Sequence, residues 1–360
     1  MILSFEAVDE RIPGEEWERF FSNVWPSYRS WFLCQGEKAR ADRATCREKL
    51  SRYLPELLPT YERLSSLAGE DELAVRFLSM VDPPPFMAGC SQVAWTVGEP
   101  ALIRNYDYHP EFFEGRIVRT DWVQPVVGLS DCVWGLLDGV NAAGLSACLS
   151  FGGRKVIGSG FGIPLVVRYV LETCSNVAEA VRTLRRVPVH MAYNLTLIDA
   201  AANHATVYLS PDRDTIVTRD AVCTNHQFVT EWPEHAAFTR TVERRQYLAE
   251  QLDDPELDRA AFTRGFLEPP LYNNRYERGF GTLYTAVYEP SSRTLDLLWP
   301  SDGRQFGLDG FEAQEVNVVL EPASPEQERD RGQTEPGNRA DSGGRVRLPS
   351  EFDPSRPDAV

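Results

Sequence analysis

Residues 87–95 read MAGCSQVAW, and the fold turns on what the cysteine in the middle of that stretch is for. Ahead of it lies the triple proline of VDPPPF, residues 81–86, where helix is excluded and extended chain is favoured. After it comes a run with the composition of a strand. A cysteine at the first position of a new domain can become an N-terminus if the peptide bond before it is cut.

Upstream of the prolines, residues 1–80 carry helical periodicity and no strand alternation. PGEEWERFFSNVWPSYRSWFL opens on Pro13 with acidic residues in its first turn and sets Trp17, Phe20, Phe21 and Val24 three or four apart, which predicts a helix. DRATCREKLSRYLPELLPTYERLSSLAG predicts one or two more, interrupted at Pro55 and Pro59 and ending near Gly69. Downstream the pattern changes. SQVAWTV, ALIRNYDY, RIVRTDWV, VWGLLDGVN and GLSACLSF are short runs bounded by Gly, Pro, Asn or Asp, as in a meandering antiparallel sheet. Two helices follow, IPLVVRYVLETC and NVAEAVRTLRRV, the second with Asn176 as its N-cap. Strands resume at AYNLTLID, HATVYLSP and DTIVT. Strands, a helix pair and strands again predict an α+β layered domain. The residues after 320 are rich in Pro, Gly, Ser and charge, so the predicted division is a helical leader over 1–89, a catalytic domain over 90–320 and a disordered tail over 321–360.

The bulk numbers exclude several function classes. With 37 basic and 53 acidic residues the formal charge is −16, which opposes binding to nucleic acid or an anionic membrane. The longest apolar runs are broken by Asp138, Asn141 and Arg168, so no membrane span is expected. The opening MILSFEAVDER lacks the basic and apolar regions of a signal peptide, and a cytoplasmic location is expected. Seven cysteines without a CxxC pair argue against a disulfide framework, a zinc site or a redox motif. No metal and no cofactor are expected.

Most of the cysteines read as small buried hydrophobes, among them Cys132, Cys148 and Cys174. Cys90 differs, because Ala88 and Gly89 before it leave the Gly89-Cys90 bond open to approach and free to strain. A thiol needs a base, and the α-amino group of a new N-terminus supplies one within the same residue, with a reference pKa of roughly 7.7 to 8.0. In IRNYDYHP, Arg104 and Asp107 follow at a distance that lets a hairpin's return strand pass beside Cys90. The guanidinium would lower the thiol's pKa and the carboxylate would orient the amine. CTNHQF brings Asn225 to a strand end, where its amide can donate to an oxyanion. The alternative within cysteine chemistry pairs Cys90 with His190, His204 or His226, although the local pattern of papain-type nucleophiles is absent from AGCSQV. A non-enzymatic, unprocessed protein that binds an amide-bearing ligand is the alternative from another class.

The order GC, RNYD, DGVNAAGL, LSFGG, YNLTLID and TNHQ, from about Gly89 to Phe228, resembles the autoproteolytic N-terminal-nucleophile (Ntn) hydrolases of the isopenicillin N acyltransferase family, relatives of choloylglycine hydrolase and penicillin V acylase. The resemblance implies a four-layer αββα sandwich with a helical leader. It also implies self-cleavage between Gly89 and Cys90, after which leader and catalytic chains stay together. By motif, Cys90 takes the place of the nucleophile, Arg104 and Asp107 those of the site arginine and aspartate, and Asn225 that of the oxyanion asparagine. Ser150 falls where choloylglycine members carry the asparagine or tyrosine of an NFPG-like motif, so Asn194 or a backbone N–H would serve instead. Tyr193 is a further substrate-binding candidate, and the family's late arginine is assigned to Arg275 or Arg278. The expected substrate is a small acyl amide, with acyl-CoA or an amine as a further candidate partner. Water or an amine would resolve the acyl-cysteine, giving a hydrolase or an acyltransferase.

Overall fold

The chain opens on a strand. Ile2–Asp9 (β1) alternates exposed and buried side chains, with Leu3, Phe5 and Ala7 turned inward, so the leader is not helical from its start as its periodicity predicted. Four helices then follow: α1 (Glu15–Phe32), α2 (Arg43–Tyr53), α3 (Leu58–Leu67) and α4 (Glu72–Leu78). Asp42 and Asp71 cap α2 and α4, accepting from the backbone N–H of Thr45 and Ala74. The computed structural model describes residues 1–322 and, at Arg278, the backbone alone. The expected tail from 321 thus lies, from residue 323 on, outside the described residues.

Past the prolines come β2 (Gly89–Trp95), β3 (Ala101–Tyr108), β4 (Arg116–Asp121), β5 (Pro125–Asp131), β6 (Gly135–Asn141) and β7 (Leu145–Phe151). Helices α5 (Ile163–Thr173) and α6 (Val177–Leu184) interrupt them. Asn176 caps α6 by accepting from the Glu179 N–H. Strands return as β8 (Tyr193–Asp199), β9 (His204–Leu209), β10 (Ile216–Thr218) and β11 (Val222–Cys223). Helices α7 (Pro233–Thr239), α8 (Thr241–Leu252) and α9 (Arg259–Gly265) precede β12 (Gly281–Glu289), β13 (Thr294–Trp299), β14 (Asp302–Gly307) and β15 (Gln314–Val319).

Two sheets face each other. One has nine strands in the order β10-β9-β8-β7-β6-β5-β4-β1-β15, in which β4 to β10 form an antiparallel meander; β2 and β3, expected as the first strands of that meander, lie in the other sheet. The other has six, in the order β11-β2-β3-β12-β13-β14. The leader helices, α5 and α6 cover the outer face of the first; Trp134 Nε1, for example, donates to the Leu78 carbonyl at 2.9 Å. α8 and α9 cover the second through Leu248, Phe262 and Phe266, which pack on Val93 and Ile103. The result is a four-layer αββα sandwich, the layering that buries both faces of each sheet. Among the described residues no helix is long and apolar enough to cross a membrane. The buried α5 carries Arg168, which pairs with Glu172 and donates to Thr120 Oγ1 at 3.1 Å.

Candidate active site

β2 and β3 run antiparallel, with Cys90 opposite Tyr106, Gln92 opposite Arg104 and Gly89 opposite Asp107. Side chains alternate along a strand, so Cys90 and Arg104 share the face turned toward the nine-stranded sheet. Gly89 and Asp107 share the face turned toward α8. Arg104 Nη2 donates to Cys90 Sγ at 3.2 Å. Its Nη1 donates to the Leu137 carbonyl at 2.8 Å and to the Asp138 carboxylate. Asp138 in turn accepts from the hydroxyls of Tyr284, at 2.7 Å, and Tyr288. That buried network fixes the guanidinium against the thiol. Burial pushes the Cys90 thiol above its ordinary value and Arg104 pulls it back down.

Asn225 sits directly past β11 and meets Cys90 from the side. The Cys90 N–H donates to Asn225 Oδ1 at 2.9 Å, while Asn225 Nδ2 donates to the carbonyls of Ala88 at 3.0 Å and Phe151 at 3.2 Å. The orientation of that amide is fixed by Arg244 on α8, whose Nη2 also donates to Oδ1 at 2.8 Å. Arg244 Nη1 donates to the Cys90 carbonyl at 2.6 Å and to Ser91 Oγ at 2.8 Å, and lies 3.7 Å from Asp107. Thr282 Oγ1 donates to Asp107 at 2.6 Å. Burial raises the Asp107 carboxyl, against the pull of Arg244 and of the Thr282 hydroxyl.

The sequence offered no signal for Arg244 beyond an arginine sharing a helix face with Thr241 and Leu248, which are buried too. Arg275 lines a small cleft together with Asp107 and Arg244, and the side chain of Arg278 lies outside the described residues. Ser150 and Asn194 do not reach the thiol by any hydrogen bond described. Both donate to the Thr224 carbonyl, at 3.1 and 2.9 Å, and Asn194 Nδ2 also donates to the His226 carbonyl at 3.2 Å. They hold the turn that carries Asn225. Tyr193 is buried against Phe86, with ring centroids 5.9 Å apart.

Two expectations about the Gly89-Cys90 bond change. It is not open to approach, since Gly89 and Cys90 are both buried. Nor does Gly89 adopt the left-handed conformation that favours glycine. A Cβ there would lie 2.5 Å from the Phe280 ring and 3.0 Å from the Asp107 Cβ, so close packing is what requires glycine. The three histidines stand apart from the thiol: His190 Nδ1 meets the Phe161 carbonyl, His204 Nε2 the Arg219 carbonyl and His226 Nδ1 the Thr241 hydroxyl.

The family model described as acyl-coenzyme A:6-aminopenicillanic acid acyl-transferase matches residues 95–304, more than half of the chain. The chain belongs to that family. It is accordingly an enzyme of amide and acyl-transfer chemistry, and Cys90 stands just ahead of the matched residues. No curated protein sequence matches the chain. Among solved structures it is similar to a Caenorhabditis elegans ortholog of N-acylethanolamine-hydrolyzing acid amidase, at 18% identity over 56% of this chain and 93% of that one, TM-score 0.41. It is also similar to the conjugated bile acid hydrolase of Clostridium perfringens, at 14% identity over 66% and 99%, TM-score 0.41. The penicillin V acylase of Agrobacterium tumefaciens aligns at 17% identity over 60% and 84%, again with TM-score 0.41.

Proposed function

We propose that this acyltransferase-family enzyme activates itself by cutting the Gly89-Cys90 bond and then uses Cys90 as an N-terminal nucleophile on small acyl amides. One observation carries the reading: the N–H of Cys90, the nitrogen that cleavage would turn into the α-amine, already rests on Asn225 Oδ1 at 2.9 Å while the thiol of the same residue rests on Arg104. Nucleophile and base are thus held by separate fixed partners before any bond is cut.

In the first reaction the Cys90 sulfur adds to the Gly89 carbonyl carbon. The C–N bond breaks, the thiol's proton goes to the departing nitrogen, and a thioester remains. Water then adds to the thioester carbon; the Gly89 carboxyl leaves and the thiol is restored. In later turnovers the sulfur attacks a substrate amide, with the free α-amine of Cys90 taking the thiol proton and passing it to the leaving amine. Asn225 Nδ2, released from the Ala88 carbonyl, donates to the developing oxyanion. Arg104 lowers the cost of the thiolate, and Arg244 with Asp107 holds the Cys90 backbone and Asn225 in register. Water resolving the acyl-cysteine gives a hydrolase, and an amine resolving it gives an acyltransferase.

The intact mass of the wild-type protein beside Cys90→Ala tests the reading. Two chains meeting at Gly89/Cys90 in the wild type and one whole chain in the variant are expected. A wild type that stays whole on prolonged incubation would overturn it and leave a binding protein or a histidine-assisted cysteine as the reading to pursue.

A further inference from the structure

We propose that the space filled by Phe86 in the uncut chain is the acyl-group subsite of the mature enzyme, taking an aromatic acyl group with an uncharged hydrogen-bonding substituent that Tyr193 reads. The inference rests on the proposed function and begins with the oxygen on Asn225. In turnover Asn225 Nδ2 would donate to the oxygen of the acyl carbonyl, and in the uncut chain it donates to the carbonyl of Ala88 at 3.0 Å. The Ala88 carbonyl therefore stands in for that of a substrate. Met87 and Phe86, which lead into it, stand in for the group attached to the acyl carbon.

Phe86 is 8% exposed and its ring lies among other rings, with centroids 5.8 Å from His190, 5.9 Å from Tyr193 and 6.2 Å from Trp31. The planes of His190 and Tyr193 are inclined to it by only 30° and 38°, so the space is shaped for something flat. Before Phe86 stand Pro83, Pro84 and Pro85, which have no N–H to bind the segment to its surroundings. Cleavage at Gly89 leaves this segment tethered at one end only.

One wall holds a polar atom with nothing to bond: among the described residues the Tyr193 hydroxyl has no hydrogen-bond partner, though Tyr193 is 1% exposed. A buried polar group left unpaired is costly, and the phenyl ring of Phe86 cannot relieve it. The charged or titrating neighbours of the Tyr193 hydroxyl are Cys132, Asp131 and Tyr108. Burial and then the neighbouring Glu114 push the Asp131 carboxyl up to about 8. A hydroxyl can donate and accept in such surroundings, whereas a carboxylate would add an uncompensated buried charge.

The pocket can be tested without turnover. In the full-length chain, Cys90→Ala prevents processing and Phe86→Ala removes the ring, leaving a ring-sized space; isothermal titration then compares phenol, toluene and benzoate. Phenol is expected to bind at least tenfold tighter than toluene, with benzoate weaker than both, and adding Tyr193→Phe should erase the preference for phenol. Equal binding of phenol and toluene, or binding of neither, overturns the inference. Should that variant fail to fold, the processed wild type decides by kcat/KM on anilides of 4-hydroxyphenylacetic, phenylacetic, 4-carboxyphenylacetic and hexanoic acids. The expected order puts 4-hydroxyphenylacetyl first, and Tyr193→Phe should lower its ratio to phenylacetyl at least tenfold. Turnover without that order overturns the subsite and leaves the proposed function standing. A chain that neither cuts itself nor turns over any anilide overturns the function, while the phenol titration still reads the pocket.

Discussion

Asn225 serves two hydrogen-bonding ends at once. Its oxygen accepts from the Cys90 N–H and from Arg244, so its nitrogen must face the carbonyls of Ala88 and Phe151. In the proposed turnover that division would give the oxygen to the α-amine of Cys90 and the nitrogen to the substrate carbonyl under attack. The thiol is less ready. It is fully buried, and burial outweighs Arg104 and raises it above its ordinary value, so near neutral pH in the uncut chain it is protonated. The attacking thiolate grows about tenfold for each pH unit below the thiol's pKa. Self-cleavage, followed by intact mass on freshly synthesised protein, is therefore expected to accelerate roughly tenfold between pH 7 and pH 8 and to keep rising toward pH 9. A rate independent of pH over that range would mean that thiolate formation does not limit the reaction.

At the scale of elements, the β5–β6 connection is under strain. Cys132 and Val133 have φ of 54° and 72° within the three-residue connection between the paired Asp131 and Gly135, and a β-branched residue there is an outlier. Contacts hold it in place: Glu114 accepts from the Val133 N–H at 2.7 Å, Asp131 from the Cys132 N–H at 2.9 Å, and Trp17 of α1 donates to the Val133 carbonyl at 3.2 Å. Glycine adopts φ above zero without that strain, but the Val133 side chain is 2% exposed within the core and deleting it costs about 2 kcal/mol or more, against about 1 kcal/mol of strain relieved. Val133→Gly is therefore expected to lower the denaturant midpoint, and a higher midpoint would show that the backbone strain outweighs the packing. This turn was not legible in the sequence, because Cys132 and Val133, the two residues at positive φ, are neither asparagine nor glycine; nor was β5 before it. β2 to β4 and β6 to β10 were legible, since each is a short run closed by turn residues. β1 had its signal in the alternation of ILSFEAVD, but a single strand far from its partners β4 and β15 has nothing local to pair with. Arg104, Asp107 and Asn225 could be found because they lie in short motifs near a strand end. Arg244 comes to Cys90 from a helix that follows the motif region and has no motif of its own.

On the whole-molecule scale the leader is part of the structural frame. β1 lies inside the nine-stranded sheet, parallel to β4 over Glu6 to Asp9 and antiparallel to β15 over Ile2 to Ala7. Withdrawing it would leave both neighbours with unpaired edges. Leader side chains such as Trp17, Leu64 and Phe77 belong to the same continuous core as Trp134 and Tyr169, so separation would also expose apolar surface, at roughly 25 cal/mol per Å². Cutting one bond removes none of these contacts. The leader and catalytic chains of the processed protein are therefore expected to elute together in size-exclusion chromatography and to unfold in a single transition, separating only in denaturant. Elution of a leader chain on its own in native buffer would refute this. The consequence for function is a division within the leader: its body stays in the sheet and core, and only the end running from Pro83 to Gly89 is free to leave. On the proposed reading, access to Cys90 would depend on the movement of a segment of seven residues, without dissociation of a subunit, and activity is expected to appear with first-order kinetics at a rate independent of protein concentration.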